Sequence, residues 1–154
     1  MISALRFLFT SDPFVESIAK AKRMRILVIR MEQDVGSKKH KDFVEKANAL
    51  KRVIGVPHAS NSHCFLKLLH KKQQKVAEFP ECDGKNHLKH TMDEELHLIK
   101  MLIHAIGTAG LIKEPREMNH HMQKMHDIVE KLRARTNHDL KIYHYVLQTV
   151  KKPK

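Results

Sequence analysis

Residues 116–126 read REMNHHMQKMH, three histidines, three methionines and a glutamate in eleven positions. Glu117 and His120 stand three apart here, as do Glu94 and His97 in MDEELH. Two Glu-x-x-His elements on facing helices are half of a carboxylate-bridged di-metal centre, which two further glutamates complete. Both elements read as first-turn residues of consecutive helices. Such helices run antiparallel, which puts the two elements at opposite ends of a bundle. Ten Glu and thirteen His also yield about one such match by chance. No His-Glu-x-x-His or Cys-x-x-Cys spacing accompanies them. His97, His104, His120, His121 and His126 therefore read as a solvated polar face, with the methionines as core, and no metal or other cofactor is expected.

Nucleophilic chemistry has less to stand on. Neither Cys64 nor Cys82 lies in a recognisable Cys/His context, no Gly-x-Ser-x-Gly elbow occurs and no Gly-rich phosphate loop is present. The expectation is a protein that is not an enzyme. If residues 65–79 form one helix, the two cysteines sit at its opposite ends, roughly 22 Å apart at 1.5 Å per residue. The three residues after Phe79 reach back only ~10 Å, whereas a disulfide needs Cα atoms within about 7 Å. The thiols are free, or one of them joins two chains into a homodimer.

Charge is the strongest bulk signal. The 154 residues carry a net +12 with His neutral, and residues 1–77 hold 16 Lys/Arg against 6 Asp/Glu. Residues 78–154 are nearly balanced, at 13 against 11, but contain nine of the thirteen His. A basic half implies an anionic partner: nucleic acid, an acidic glycan or an anionic membrane surface. Nucleic acid is not expected, because no aromatics interleave with the basic residues for base stacking. Below pH about 6.5, the ordinary imidazole range, protonation would add up to thirteen further charges. The opening MISALRFLFT is too short, and interrupted by Arg6, to span a membrane or to make a convincing signal peptide. A soluble protein that meets membranes from outside is expected.

The elements that must carry these charges are helical. Five Gly and five Pro leave little room for the turns of an all-β chain. Ser11-Asp12-Pro13 starts a first helix, which runs to about Asp34 with Lys20, Lys22, Arg23, Arg25 and Arg30 outside. Phe43, Ala47, Leu50 and Ile54 mark a second, broken at Gly55-Val56-Pro57. Ser60-Asn61-Ser62 caps a third, with Lys67, Lys71, Lys72 and Lys75 on its wet side. Thr91-Met92-Asp93-Glu94 reads as a capping box that opens a fourth, stopped at Gly107 and Gly110. A fifth opens at Pro115 with Met118, Met122, Met125, Val129 and Leu132 in a 4-3-4-3 stripe. Past Thr136-Asn137 the pattern blurs between a short helix and a strand. The expectation is one all-α domain over 1–154, an up-and-down bundle of about five helices, with 1–10 and 137–154 as peripheral terminal segments.

SDPFVESIAKAKRMRILVIR, FLKLLHKKQQKVAEFPECDG and MLIHAIGTAGLIKEPREMNHHMQKM together resemble the abalone acrosomal sperm proteins, a family comprising an egg-coat lysin and a fusagenic paralogue. The likeness covers roughly residues 11–126 and is one of pattern and length. It implies a closed bundle with basic tracks and no catalytic centre, secreted into the sperm acrosomal vesicle and acting in fertilization at the egg surface. Three departures favour the fusagenic branch: there is no Trp, Gly55 and Pro57 interrupt the second helix, and the chain continues through residues 127–154. The mechanism expected is interfacial. Lys20, Lys22, Arg23, Arg25, Arg30, Lys67, Lys71, Lys72 and Lys75 bring the protein to an anionic leaflet or partner. Phe7, Phe9, Tyr143, Tyr145 and Val146 then disturb lipid packing, unless they pack on the bundle instead. Binding and non-hydrolytic dissolution of an egg-envelope glycoprotein is the alternative, and a basic ligand for a receptor or acidic glycan is a further one.

Overall fold

A computed structural model describes residues 12–58 and 62–151. They form α1 (Pro13–Gly36), α2 (His40–Ile54), α3 (Phe65–Ala77), α4 (Asp83–Ala109) and α5 (Pro115–Lys151), with no strand among the described residues. The all-α bundle expected from composition and periodicity is what the chain adopts.

Local chemistry sets most of the boundaries. Asp12 accepts the Phe14 N–H at 2.9 Å and Pro13 takes the first helical position, so two of the orphan donors of α1 need no partner in the helix. Gly55, at φ 110°, ends α2 in the left-handed region that glycine enters without steric cost. Residues 59–61 lie outside the described residues. Cys64 occupies the cap position of α3 and makes no side-chain cap bond.

Two expectations fail. The α4 helix begins at Asp83, eight residues before Thr91, so the Thr91-to-Glu94 run is no capping box. Thr91 sits inside the helix, where its hydroxyl donates to Leu88 O at 3.1 Å and also meets Asp139 Oδ1 at 2.6 Å. Residues 137–151 are not peripheral either. They continue α5 as one 37-residue helix and place Asp139 and Val146 in the interior.

One apolar cluster draws on all five helices. The long α5 packs chiefly against α1 and α4. At one end of the bundle Phe14 stacks on Tyr143, ring centroids 4.0 Å apart, and Phe79 tilts against the same ring at 5.5 Å. There Gly84 of α4 meets Val146 of α5 so closely that a Cβ on Gly84 would overlap Val146 Cγ2. Lys85 secures this end, donating to Phe79 O at 2.8 Å and to Glu81 Oε1 at 2.8 Å, so α4 ties down the turn that follows α3. At the other end the α1–α2 and α4–α5 turns come together. No described helix is long and apolar enough to cross a membrane.

Candidate anionic-surface interface

The outward stripe of α1 is formed by Val15, Ala19, Lys22, Arg23, Ile26, Arg30 and Gln33, all exposed. It contains three cations and no acid. Val15 and Ile26 keep 40% and 39% of their surface in solvent. The three acids of α1 are engaged elsewhere: Glu16 with His63, Glu32 with His126, and Asp34 with Lys46. Nothing on this helix therefore cancels the charge of its outer face. Neighbouring α3 has no acidic residue in its thirteen positions, and Lys67 and Lys75 are exposed. Lys71 donates to Ser62 O at 3.2 Å and so ties the start of α3. Lys20, Lys22, Arg23, Arg30, Lys67 and Lys75 make no ion pair among the described residues.

Other expected contact residues lie elsewhere. Arg25 is held by Glu130 of α5, and its guanidinium keeps the Glu130 carboxyl below its ordinary range. Lys72 is not on the wet side of α3. Its side chain is 0% exposed and bonds Glu95 Oε1 at 2.7 Å and Asp139 Oδ2 at 2.9 Å. The reason is position: Lys72 lies four residues from both Leu68 and Val76, on the inward stripe of α3. Among the apolar candidates, Val146 is buried and Tyr143 is half-buried under Phe14. Burial, with the charges of Asp12 and Glu78, raises the pKa of the Tyr143 phenol. Tyr145 is 68% exposed and does face solvent, while Phe7 and Phe9 fall outside the described residues.

The buried group is the feature that sequence reasoning missed. Two carboxylates and one ammonium share a site closed to solvent. Burial first, and a hydrogen bond to Asp139 second, push the Glu95 pKa well above its ordinary 4.5, against the pull of Lys72. Glu95 Oε2 has no partner as a carboxylate oxygen; protonated, it becomes a donor beside Asp139. Below that raised value the site holds one cation, one anion and one neutral acid. Its three side chains are closed to solvent, and it orders the interior.

The histidine-rich stretch divides. His120 is exposed, His121 Nε2 sits 2.7 Å from Ala105 O, and His126 Nδ1 lies 3.0 Å from Glu32 Oε1. Met122 and Met125 are buried. His63, His90 and His126 face Glu16, Glu94 and Glu32 respectively. Glu94 is paired with Arg135 at 2.7 Å in mid-helix, while Glu117 opens α5. Roughly 20 Å of helix lies between Glu94 and the end of α4. Among the described residues no three His, Cys, Asp or Glu are grouped to hold a metal ion. Cys64 and Cys82 are free thiols, the first buried and the second half-buried.

Fold and surface thus define a basic all-α bundle with a polar key in its core and an uncompensated cationic face. No protein family, curated protein or solved structure matches the chain.

Proposed function

We propose that this is a non-catalytic protein whose cationic α1 and α3 faces adsorb to an anionic membrane. The observation that carries the reading is the outer stripe of α1, where Lys22, Arg23 and Arg30 alternate with exposed Val15 and Ile26 and no acid is available. Lys22 and Arg30 stand about 12 Å apart along the helix, with Ile26 between them. Each basic residue near an anionic leaflet contributes about 1 kcal/mol, and the apolar residues enter the interface once charge has brought them there. Lys72 and Val146 take no part, because neither reaches the surface.

The resemblance to the acrosomal sperm proteins supplies the setting: secretion from the sperm acrosomal vesicle and promotion of sperm–egg membrane fusion. Fluorescent-lipid mixing between vesicles, with anionic lipid content and salt varied, tests both levels. Adsorption that falls steeply with salt, followed by mixing, is the expected result. Adsorption without mixing removes the fusion role and leaves the interface. Failure to bind anionic vesicles at low salt, together with binding to a purified egg-coat glycoprotein, would replace the proposal with the lysin-like one.

A further inference from the structure

The end of the bundle where the α1–α2 and α4–α5 turns meet carries a second set of cations, and there they border a cavity of about 280 Å³. Val35, Phe43, Ile112, Pro115 and Met118 give it apolar walls; Lys38, His40 and Lys113 supply the polar lining. Asp34 also lines it, but that carboxylate is bound to Lys46. Lys38 and Lys113 make no ion pair among the described residues, and Asp42, Glu114 and Glu117, close by in sequence, do not line the cavity. The cavity therefore presents unopposed positive charge above an apolar floor.

Two further observations point the same way. Lys38 adopts φ 58°, a left-handed conformation that side chains other than Asn and Asp seldom enter. A glycine would satisfy the turn without strain, and a lysine that lines the cavity stands there instead. Leu111, 80% exposed, projects from the α4–α5 turn next to Ile112, and the turn is fixed by Leu111 N–H to Thr108 O at 2.9 Å. An apolar floor, a cationic lining and a protruding aliphatic side chain are complementary to one kind of molecule, an anion joined to a hydrocarbon chain at a membrane surface.

We infer that this end of the bundle binds a single anionic phospholipid, a site that rests on the membrane reading above for its setting. The phosphate lies among Lys38, His40 and Lys113. The first carbons of an acyl chain lie against Val35, Ile112 and Met118, and Leu111 enters the leaflet beside it. A cavity just below the ~300–1,000 Å³ usual for small-molecule sites takes the head group and the chain root, with the remainder left in the bilayer.

The test titrates the full chain with dihexanoyl phosphatidic acid below its micelle concentration, followed by amide NMR. Saturable shifts at Val35, Lys38, Ile112 and Met118 are expected, with dihexanoyl phosphatidylcholine and inorganic phosphate each binding at least about tenfold more weakly. Lys38→Gly and Lys113→Gln should each weaken binding by roughly five-fold, while Arg23→Gln and Arg30→Gln leave it unchanged. Lys38→Gly suits the backbone at that position, so loss of binding there is not loss of fold. Equal affinity for phosphatidylcholine or for phosphate alone, or indifference to both lysine substitutions, overturns the assignment. Sedimentation with anionic vesicles separates the two readings: vesicle binding without the soluble-lipid site sinks only the site, and failure of both sinks the adsorption as well.

Discussion

Lys72 of α3 and Glu95 of α4 meet at 2.7 Å where neither side chain touches solvent, and Asp139 of α5 stands 2.9 Å from the same ammonium. The Phe14 and Phe65 rings lie 5.6 and 5.9 Å from that ammonium, so aromatic faces surround the charge where carboxylates do not. Such a group is expensive to break and adds little net stability when whole.

Its two carboxyls should respond differently to neutralisation. Asp139→Asn removes one anion facing Lys72 and leaves only the desolvated Glu95 to answer the lysine charge, and is expected to cost up to about 3–5 kcal/mol. Below its raised pKa, Glu95 holds its proton, and there Glu95→Gln keeps both size and neutrality and should cost about 1 kcal/mol or less. Urea unfolding of the two variants measures the difference. Equal losses would mean that Glu95 is ionised in the folded protein.

The pH dependence follows from the raised Glu95 pKa. The unfolded chain releases this proton near the ordinary 4.5 and the folded chain keeps it to a higher pH. The stabilisation from this group is therefore complete below 4.5 and lost as pH rises through the raised value. Relative to Glu95→Gln, the native protein should lose up to ~1.4 kcal/mol per pH unit across that window. Glu130, whose pKa is lowered by Arg25, acts in the opposite sense, its contribution fading as pH falls through its lowered value. It is common to both proteins and cancels in the comparison. Denaturation of the pair at successive pH values reads the slope.

On the outer face of α1, a triple Lys22→Gln, Arg23→Gln, Arg30→Gln variant should bind anionic vesicles roughly a hundred-fold more weakly at low salt, at about 1 kcal/mol per charge. Its folding stability should stay within ~0.5 kcal/mol of the parent, since these side chains face solvent. Vesicle sedimentation and a urea titration on the same preparation check both halves.

Packing at the opposite end from the lipid cavity makes a separate prediction. Gly84→Ala drives a methyl into Val146 Cγ2 and should cost about 1–3 kcal/mol. Val146→Ala opens space for it, so the double variant should be more stable than the sum of the single losses implies. Additive losses would show that the two residues do not meet.

Much of this architecture is legible in the sequence. The Asp12-Pro13 start, the Gly55 stop and the Pro115 start stand where residue chemistry puts them. The misses share one cause. The stripe from Met118 to Leu132 continues in the same 4-3 rhythm through Thr136, Asp139, Tyr143 and Val146, but its polar members hide it. Asp139 is buried because its partners come from other helices, Thr91 and Lys72, whereas Thr136 satisfies its hydroxyl on Arg133 O of its own helix. Lys72 and Glu95 likewise sit on apolar stripes, between Leu68 and Val76 and between Met92 and Leu98. A charged residue at the centre of such a stripe is the available signal for a buried ionic group, and finding two such stripes shows which helices share it. The cationic face of α1 was readable from spacing. The cavity at the far turns was not, because it is assembled from residues about 75 positions apart.

An interior of methionine and leucine repeating every seven residues is nearly indifferent to sliding. Move α5 by one heptad in either direction and the residue opposite Lys72 becomes Leu132 or Val146, each as greasy as the position it would replace elsewhere. Asp139 alone on that stripe bears a carboxylate. One setting of the long helix brings Asp139 to the buried lysine beside Glu95, and a one-heptad slip puts an aliphatic side chain there instead, so a single charge contact favours the alignment that the aliphatic packing leaves undecided.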